Sequence, residues 1–188
     1  MGRIVVTEFI SLDGVIEDPG GAEGYEHGGW TFQFNAGPEL ETFKFEELQA
    51  SDAQLLGRVT YDGFAKAWPT MEGTGEFGEK MNSMPKYVVS ATLEQPEWNN
   101  TTVIRGDVAD EVRKLKERYQ GDILVAGSAR LVQSLIEQDL VDELRLMVFP
   151  ILLGTGKRLF GDTSDAKRLQ LAETRPLGDG VTILTYRR

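Results

Sequence analysis

The stretch Leu55-Leu56-Gly57-Arg58-Val59-Thr60-Tyr61 decides the fold expected of this chain. An apolar run from residue 53 stops at a glycine, and an amphipathic segment follows, which predicts a strand, a tight turn and a helix. Such a turn directs free backbone N–H groups and a positive helix-dipole end toward one point, so it suits an anion. The guanidinium of Arg58 adds planar donors that match a phosphate. The alternative is a plain strand-to-helix turn with a surface arginine.

A second stretch repeats this pattern. Ile123-Leu124-Val125-Ala126 is almost purely apolar, which is typical of a strand buried on both faces of a parallel sheet, and Gly127-Ser128-Ala129-Arg130 follows it. Ligands of open α/β sheets bind outside the carboxyl ends of the strands, so both turns are expected at one binding edge. Further polar residues end neighbouring strands at the same kind of position: Ser90, Thr92 and Arg105. Together they predict a site for a dinucleotide with an extra phosphate.

The rest of the chain predicts a three-layer α/β sandwich with a mostly parallel central sheet and an antiparallel C-terminal edge. Strands and helices alternate through the middle, and the end is rich in strands. Strands are predicted at 3–11, 53–56, 86–90, 102–105, 123–126, 140–149, 169–174 and 181–186, and helices at 38–50, 58–67 and after residues 107 and 128. Residues 13–37 and 69–83 are expected to be loops. No linker divides the chain, so one domain over 1–188 is expected.

Composition excludes several function classes. The 188 residues carry a net charge of −10, which argues against a nucleic-acid partner, because phosphate backbones need a basic face. There is no cysteine, so no disulfide framework or thiolate metal site is possible. No apolar run approaches the length of a membrane span, and a cytoplasmic protein without a membrane partner is expected. His27 is the only histidine and is expected at the surface, so no metal site is predicted.

Four other positions could carry chemistry. Asp13 and Glu39 could serve as an acid or a substrate anchor, with a solvated surface role as the alternative, whereas Asp18 is expected to be solvated. Trp30 and Phe32 lie in the long first loop, where they could line a ligand or fill the core. The segment 154–157 resembles half a phosphate loop, but it lacks the strand–helix context and is expected to be a flexible turn.

The chain resembles the dihydrofolate reductase-like superfamily, and within it the C-terminal reductase domain of the bifunctional riboflavin-biosynthesis deaminase/reductase. The resemblance covers nearly the whole chain, and five motifs in the right order carry it. These are Ser11-Leu12-Asp13-Gly14, Leu56-Gly57-Arg58-Val59-Thr60-Tyr61, Val88-Val89-Ser90, Val125-Ala126-Gly127-Ser128-Ala129-Arg130-Leu131 and Phe149-Pro150-Ile151-Leu152-Leu153-Gly154-Thr155-Gly156.

The resemblance implies NADPH as cofactor and assigns roles to residues. The implied cofactor contacts are Gly57, Arg58 and Thr60 to the adenosine phosphate and pyrophosphate, Ser90 and Thr92 near the adenosine, Gly127, Ser128, Ala129 and Arg130 to the pyrophosphate, and Phe9 and Ile16 at the nicotinamide. Trp30 and Phe32 would cover the substrate, and Leu153 and Gly154 would flank it. Glu39 would fall near the pterin-binding carboxylate of folate-reducing relatives, although the loop before it differs in length. Those relatives often carry a run of glycines at 127–129, where this chain has Gly-Ser-Ala.

The implied activity is hydride transfer from NADPH to a small heterocyclic or ribosyl-pyrimidine substrate. It is similar to the activity of 5-amino-6-(5-phosphoribosylamino)uracil reductase in riboflavin biosynthesis. A pterin or dihydrofolate reductase and a non-catalytic NADP(H)-binding protein remain as alternatives, the second because the sequence offers no unambiguous proton donor. Homodimers are common in this group, and the strand Leu144–Phe149 with its following loop is the expected contact.

Overall fold

A computed structural model describes all residues from 1 to 188. The strands are β1 Arg3–Ser11, β2 Ser51–Gly57, β3 Lys86–Val89, β4 Thr101–Ile104, β5 Asp122–Ala126, β6 Glu143–Phe149, β7 Gln170–Pro176 and β8 Thr182–Arg187. The α-helices are α1 Pro38–Gln49, α2 Arg58–Ala67, α3 Gly75–Ser83, α4 Val108–Arg118 and α5 Ala129–Glu137. Three 3-10 helices occupy Trp30–Gln33, Trp68–Thr70 and Gly178–Gly180.

The strands form one eight-stranded sheet in the order β4-β3-β2-β5-β1-β6-β8-β7. All pairings among β1 to β6 are parallel, and β8 pairs antiparallel with both β6 and β7. Helices cover the two faces, so the predicted three-layer sandwich with an antiparallel C-terminal edge is confirmed. The predicted strand bounds are close to the observed ones, except that β6 begins at Glu143 rather than at residue 140.

Alternation along β1 separates the two sides of the core. Ile4, Val6 and Ile10 belong to the cluster that packs under α4 and α5. Val5 belongs to the opposite cluster, with α2 and α3, and Phe9 packs under the first loop on that same opposite side. Since β1 lies near the middle of the sheet, its carboxyl end reaches the binding edge between the two halves.

The prediction of a loop at 69–83 was wrong, because α3 lies within it. The helix is short and contains two glycines, which have a low helix propensity, yet Met81 is buried against the sheet. At Gly78 a Cβ atom would overlap the hydroxyl of Thr74, so the second glycine allows a close contact. Packing therefore decides the structure of this segment, against its propensity.

The long first loop is organised around Asp18, which is buried rather than solvated as expected. Its φ is +47°, and its carboxylate accepts hydrogen bonds from the N–H groups of Ala22, at 2.7 Å, and Tyr25, at 3.2 Å. Trp30 is fully buried, donates its indole N–H to the Glu17 carbonyl and packs edge-on against Phe149. The loop is thus a folded unit with its own small core.

A buried charge cluster fills the space between α1 and the amino ends of β5 and β6. Arg145 is 13% exposed and contacts Glu47 at 3.3 Å, Asp122 at 2.9 Å and Glu143 at 2.6 Å. Each of these three carboxylates is less than a tenth exposed. Arg145 is therefore the cation shared by three acids from three different elements.

Candidate functional site

The largest cleft at the carboxyl ends of the strands has a volume of about 670 Å³. Its walls come from the turn after β2, the turn after β5 and the loop after β1. The lining residues are Ile16, Glu17, Glu23, Gly57, Arg58, Val59, Thr60, Val89, Val108, Gly127, Ser128, Ala129, Arg130, Leu131, Ser134 and Lys157. The two turns identified from the sequence thus meet in one cleft, as predicted from their strand positions. A second cavity, of about 480 Å³, lies near the amino end of β6.

The two turns are joined by one serine hydroxyl. Ser128 Oγ accepts a hydrogen bond from the Gly57 N–H at 2.8 Å and donates one to Thr60 Oγ1 at 3.0 Å. A Cβ atom at Gly57 would lie 2.6 Å from Ser128 Oγ, and one at Gly127 would lie 2.5 Å from Thr60 Oγ1. Both glycines are therefore required by close approach, and the two turns form one packed unit.

Ser128 adopts a left-handed backbone conformation with φ of +66°. Folate-reducing relatives often carry glycine here, so the sequence left open whether the backbone requires one. A φ of +66° is a conformation that favours glycine. Serine occupies the position because its hydroxyl makes the bridge between the turns. The two hydrogen bonds of the Ser128 hydroxyl offset the cost of its left-handed backbone conformation.

Two substitutions separate these effects. Ser128→Ala removes the bridge and keeps the strain, so the free energy of unfolding is expected to fall by about 1–3 kcal/mol. Ser128→Gly removes the same bridge but relieves the strain, so it should be more stable than the alanine variant by about 1 kcal/mol. Urea denaturation of both variants measures the difference. Equal stability of the two would show that the left-handed angle stores no strain.

The cleft presents positive potential at the starts of α2 and α5. Neither helix has a side chain capping its first turn, which leaves backbone N–H donors available to a ligand. Arg58 is half-buried, and its guanidinium is held by Asp62 at 2.9 Å and by Thr92 Oγ1 at 3.2 Å. Arg130 lies on the opposite wall and is exposed. These groups suit a ligand with several phosphate charges.

Some residues expected at the cofactor lie outside the cleft. The Ser90 hydroxyl accepts from the N–H groups of Thr92 and Leu93, and the Arg105 guanidinium donates to the Leu93 carbonyl. These bonds shape the turn after β3. Phe9 points to the opposite side of the sheet from α5, where it packs edge-on against Phe149. Of the two residues expected at the nicotinamide, Ile16 alone lines the cleft.

Asp13 ties the end of β1 to the segment after β6. Its carboxylate accepts from the Ser11 hydroxyl at 2.6 Å and from the N–H groups of Leu153, at 3.1 Å, and Gly154, at 2.8 Å. The Ser11 hydrogen bond is the main cause that lowers the pKa of Asp13 to about 2. Asp13 is thus ionised at neutral pH, and this arrangement favours an anchor over a proton donor. Neither Leu153 nor Gly154 is among the cleft residues.

Asp13→Asn is expected to weaken the hydrogen bonds that join the end of β1 to the segment after β6. Because the pKa of Asp13 is depressed, its contribution is present above the ordinary aspartate pKa and is lost as pH falls toward about 2. Because the carboxylate is partly solvated, its replacement should lower the free energy of unfolding by only about 1 kcal/mol at neutral pH. Thermal unfolding of both proteins from pH 7 to pH 2 measures it, and their midpoints should converge at the acid end. A constant gap would show that the charge of Asp13 contributes nothing.

The remaining predicted residues are dispersed. Glu39 is exposed in the first turn of α1, and its carboxylate lies over Gly37, so it is not brought to the cleft. Phe32 is 79% exposed, and Trp30 is a core residue. The segment 154–157, expected to be flexible, is held by two backbone N–H donors: Gly154 donates to Asp13 at 2.8 Å and Lys157 donates to Glu17 at 2.8 Å.

Sequence reasoning missed Glu8. It lies in the middle of the apolar strand β1 and is 5% exposed, and its Oε1 has no hydrogen-bond partner. Burial is the main cause that raises its pKa to about 8. A single acid inside the run Ile4 to Ile10 was the indication available in the sequence. His27, by contrast, is exposed as predicted.

The sequence of this chain matches a known protein family. The family model described as the RibD C-terminal domain matches residues 3–183. The chain belongs to the RibD C-terminal domain family. The resemblance to the C-terminal reductase domain of the riboflavin-biosynthesis deaminase/reductase is thereby confirmed.

Two curated relatives of this RibD C-terminal domain protein come from Bacillus subtilis strain 168. The uncharacterized protein YyaP is 32% identical over 187 residues, covering 98% of this chain and 94% of its own. The uncharacterized protein YwjB is 25% identical over 181 residues, covering 96% and 95%.

Two solved structures share the fold. A protein from Shewanella sp. PV-4 assigned to riboflavin biosynthesis has a TM-score of 0.78 at 23% identity, covering 99% of this chain and 98% of its own. Dihydrofolate reductase from Enterococcus faecalis, complexed with NADP(H) and RAB-propyl, has a TM-score of 0.60 at 14% identity, covering 100% and 96%. The fold is therefore reductase-like. No helix has the length and apolarity to cross a bilayer, and no group of three or more potential ligand side chains is placed to hold a metal ion.

Proposed function

We propose that this RibD C-terminal domain protein is an NADPH-dependent reductase formed by a single domain over residues 1–188. It would transfer a hydride to a small heterocyclic or ribosyl-pyrimidine substrate, similar to 5-amino-6-(5-phosphoribosylamino)uracil reductase. The observation that carries the proposal is the cleft in which two uncapped helix starts, Arg58 and Arg130 meet. This combination of backbone donors and guanidinium groups matches the several charges of NADPH.

The residues present fit this cofactor. Gly57 and Gly127 let the two turns pack closely, against the hydroxyls of Ser128 and Thr60. The first turns of α2 and α5 have no side-chain cap, so phosphate groups could contact their N–H groups. Arg58 would hold the extra phosphate of the adenosine, and Ile16 would pack at the nicotinamide. NADPH, when bound, supplies the hydride, and the protein supplies position and exclusion of water.

Two alternatives remain under the same fold. A pterin or dihydrofolate reductase would use a carboxylate on α1, and the exposed position of Glu39 weighs against that assignment. A non-catalytic NADP(H)-binding protein would bind the cofactor without consuming it. Steady oxidation of NADPH with pterin or riboflavin-pathway substrates separates a reductase from a sensor.

Titration with NADPH and NADH tests the proposal. Energy transfer from the three tryptophans to the reduced nicotinamide reports binding directly. The expected result is NADPH binding at least about tenfold tighter than NADH, because Arg58 meets a phosphate that NADH lacks. If neither dinucleotide binds, the proposed function is wrong.

A homodimer in the cytoplasm is part of the same proposal, and the contact expected from the sequence is the strand Leu144–Phe149 with its following loop. That segment forms β6, which lies between β1 and β8 and has no free edge. The free edge is β7, where Leu171 is 55% exposed, with Leu169 beside it at 43%. We therefore assign the dimer contact to β7, and light scattering of the purified protein measures the oligomeric state.

A further inference from the structure

Glu8 lies where the end of β1 meets the cleft. Thr7 pairs with Ala126, so Glu8 is level with Gly127, the first residue of the turn that lines the cleft. The backbone of Gly127 lowers the pKa of the Glu8 carboxyl, although the two groups make no hydrogen bond. By alternation along β1, the side chain projects to the face that carries α5 and Leu146. Glu8 does not itself line the cleft, but it lies directly behind Gly127, which does.

The environment of Glu8 keeps it protonated around neutral pH. Burial raises its pKa to about 8, against a lowering effect of Lys44, and Glu47 adds to the rise. Both of these charged groups are on α1. The turn after β5 contributes only the backbone N–H of Gly127, and the neighbouring Leu146 on β6 is apolar.

One oxygen of this carboxyl lacks a partner inside the protein. Oε1 of Glu8 is buried and makes no hydrogen bond, although native proteins leave few buried polar atoms unpaired. An unpaired buried atom costs about 1–3 kcal/mol unless a ligand satisfies it. The other candidate acids do not share this condition, since the Asp13 carboxylate already accepts three hydrogen bonds and Glu39 is exposed.

We propose that Glu8 is the proton donor of the reduction, with Oε1 contacting the substrate at the nicotinamide end of the cleft. The inference rests on the proposed function. In the reduction of a C=N or C=O bond, the carbon receives a hydride and the π bond breaks. The nitrogen or oxygen then takes the proton as the O–H bond of Glu8 breaks. The resulting carboxylate regains its proton from water, so charge and atoms balance.

Proton uptake on cofactor binding tests this position without a turnover assay. At pH 8 a carboxyl with a pKa of about 8 is half-protonated, and covering it with anionic NADPH should draw in up to about half a proton. NADP⁺ carries a positive charge on its nicotinamide ring, so it should draw in clearly less. Calorimetry in buffers of different ionisation enthalpy measures both values on the wild-type protein, and equal uptake with NADPH and NADP⁺ would overturn the proposal.

Matched variants assign the proton to its residue. Glu8→Gln resembles the protonated acid, so it should bind NADPH within about threefold of wild type at pH 7 while losing the difference in uptake between the two cofactors. Glu23→Gln is the control, because Glu23 also lines the cleft and burial raises its pKa too. The assignment of the proton to Glu8 would be refuted if Glu8→Gln kept the difference in proton uptake between NADPH and NADP⁺. It would also be refuted if Glu23→Gln lost that difference.

The same measurements separate two kinds of failure. If wild-type protein does not bind NADPH, the proposed function fails and the inference fails with it. If NADPH binds but the linked proton is absent or belongs to Glu23, the reductase proposal stands and Glu8 is a structural residue. Since the wild-type comparison of two cofactors needs no variant, the outcome does not depend on whether Glu8→Gln folds.

Discussion

Arg145→Met is expected to lower the free energy of unfolding by about 3–5 kcal/mol, the largest effect of any single change considered for this chain. The methionine fills a similar volume but leaves Glu47, Asp122 and Glu143 buried without their shared cation. The cations that remain are Lys44 at Glu47, Arg3 at Asp122 and Glu143, and Arg187 at Glu143. They are more exposed than Arg145, so the buried charges are only partly compensated, and this costs more than the ion pairs contribute. Urea denaturation at pH 7 measures the change. A loss below about 1 kcal/mol would show that water or the outer arginines take over the role of Arg145.

The pH dependence of this variant identifies the cause. Burial alone would raise the pKa of Glu143, but hydrogen bonds from Arg187 and Arg145 outweigh it and hold the pKa below its ordinary value. The stabilisation is therefore present above the ordinary glutamate pKa, about 4.3, and is lost as pH falls through the depressed value. The gap between wild type and Arg145→Met should narrow on acidification, because protonation removes the stranded charges. Arg113→Met, which breaks an exposed pair with Asp110, is the control and should cost less than about 1 kcal/mol.

Arg58→Ala is expected to weaken NADPH binding by about 10- to 150-fold while the fold is kept. The phosphate of the cofactor would lose its hydrogen bonds from the guanidinium, and each hydrogen bond to a charged group is worth about 1.5–3 kcal/mol. NADH lacks that phosphate, so its binding should change by less than about threefold. Fluorescence titration with both dinucleotides gives the two ratios, and unfolding by urea checks that the variant remains folded.

Arg105→Ala is the matched control for Arg58. Arg58 follows β2 and Arg105 follows β4, two strands that both pair with β3, and both arginines were predicted cofactor contacts from sequence. In the structure the Arg105 guanidinium donates to the Leu93 carbonyl and lies outside the cleft, so its loss should leave NADPH affinity unchanged within about threefold. An equal loss of affinity in both variants would place the phosphate site between them and contradict the cleft assignment.

The sequence predicted the parts of the site that depend on element order. Gly57 and Gly127 each end an apolar run, and the carboxyl ends of parallel strands must meet at one edge, so their convergence followed from topology. The bridge through Ser128 was not predictable, because it requires a left-handed serine and a contact between residues 71 positions apart. Arg105 also follows a strand, but its guanidinium donates to the Leu93 carbonyl and does not line the cleft, which its position in the sequence could not show.

Buried acids were the main failure of sequence reasoning. Aspartate is common in solvated loops, yet the buried carboxylate of Asp18 accepts the backbone hydrogen bonds that organise residues 18–25. Glu8 interrupts an apolar strand and was read as part of it. In both cases burial depends on long-range packing, which periodicity does not describe. The helix α3 was missed for the related reason that one of its glycines, Gly78, serves a close contact with Thr74.

The hydroxyl shared between the two turns has a consequence for how this site can evolve. Gly57 and Thr60 are both hydrogen-bonded to the Ser128 hydroxyl, and the gap between Gly57 and that hydroxyl leaves no room for a Cβ atom. A single replacement at any one of them removes or obstructs the same contact, so a second replacement nearby should cost little more than the first. The three positions therefore change as a set, and divergent lineages should have exchanged all three together or none.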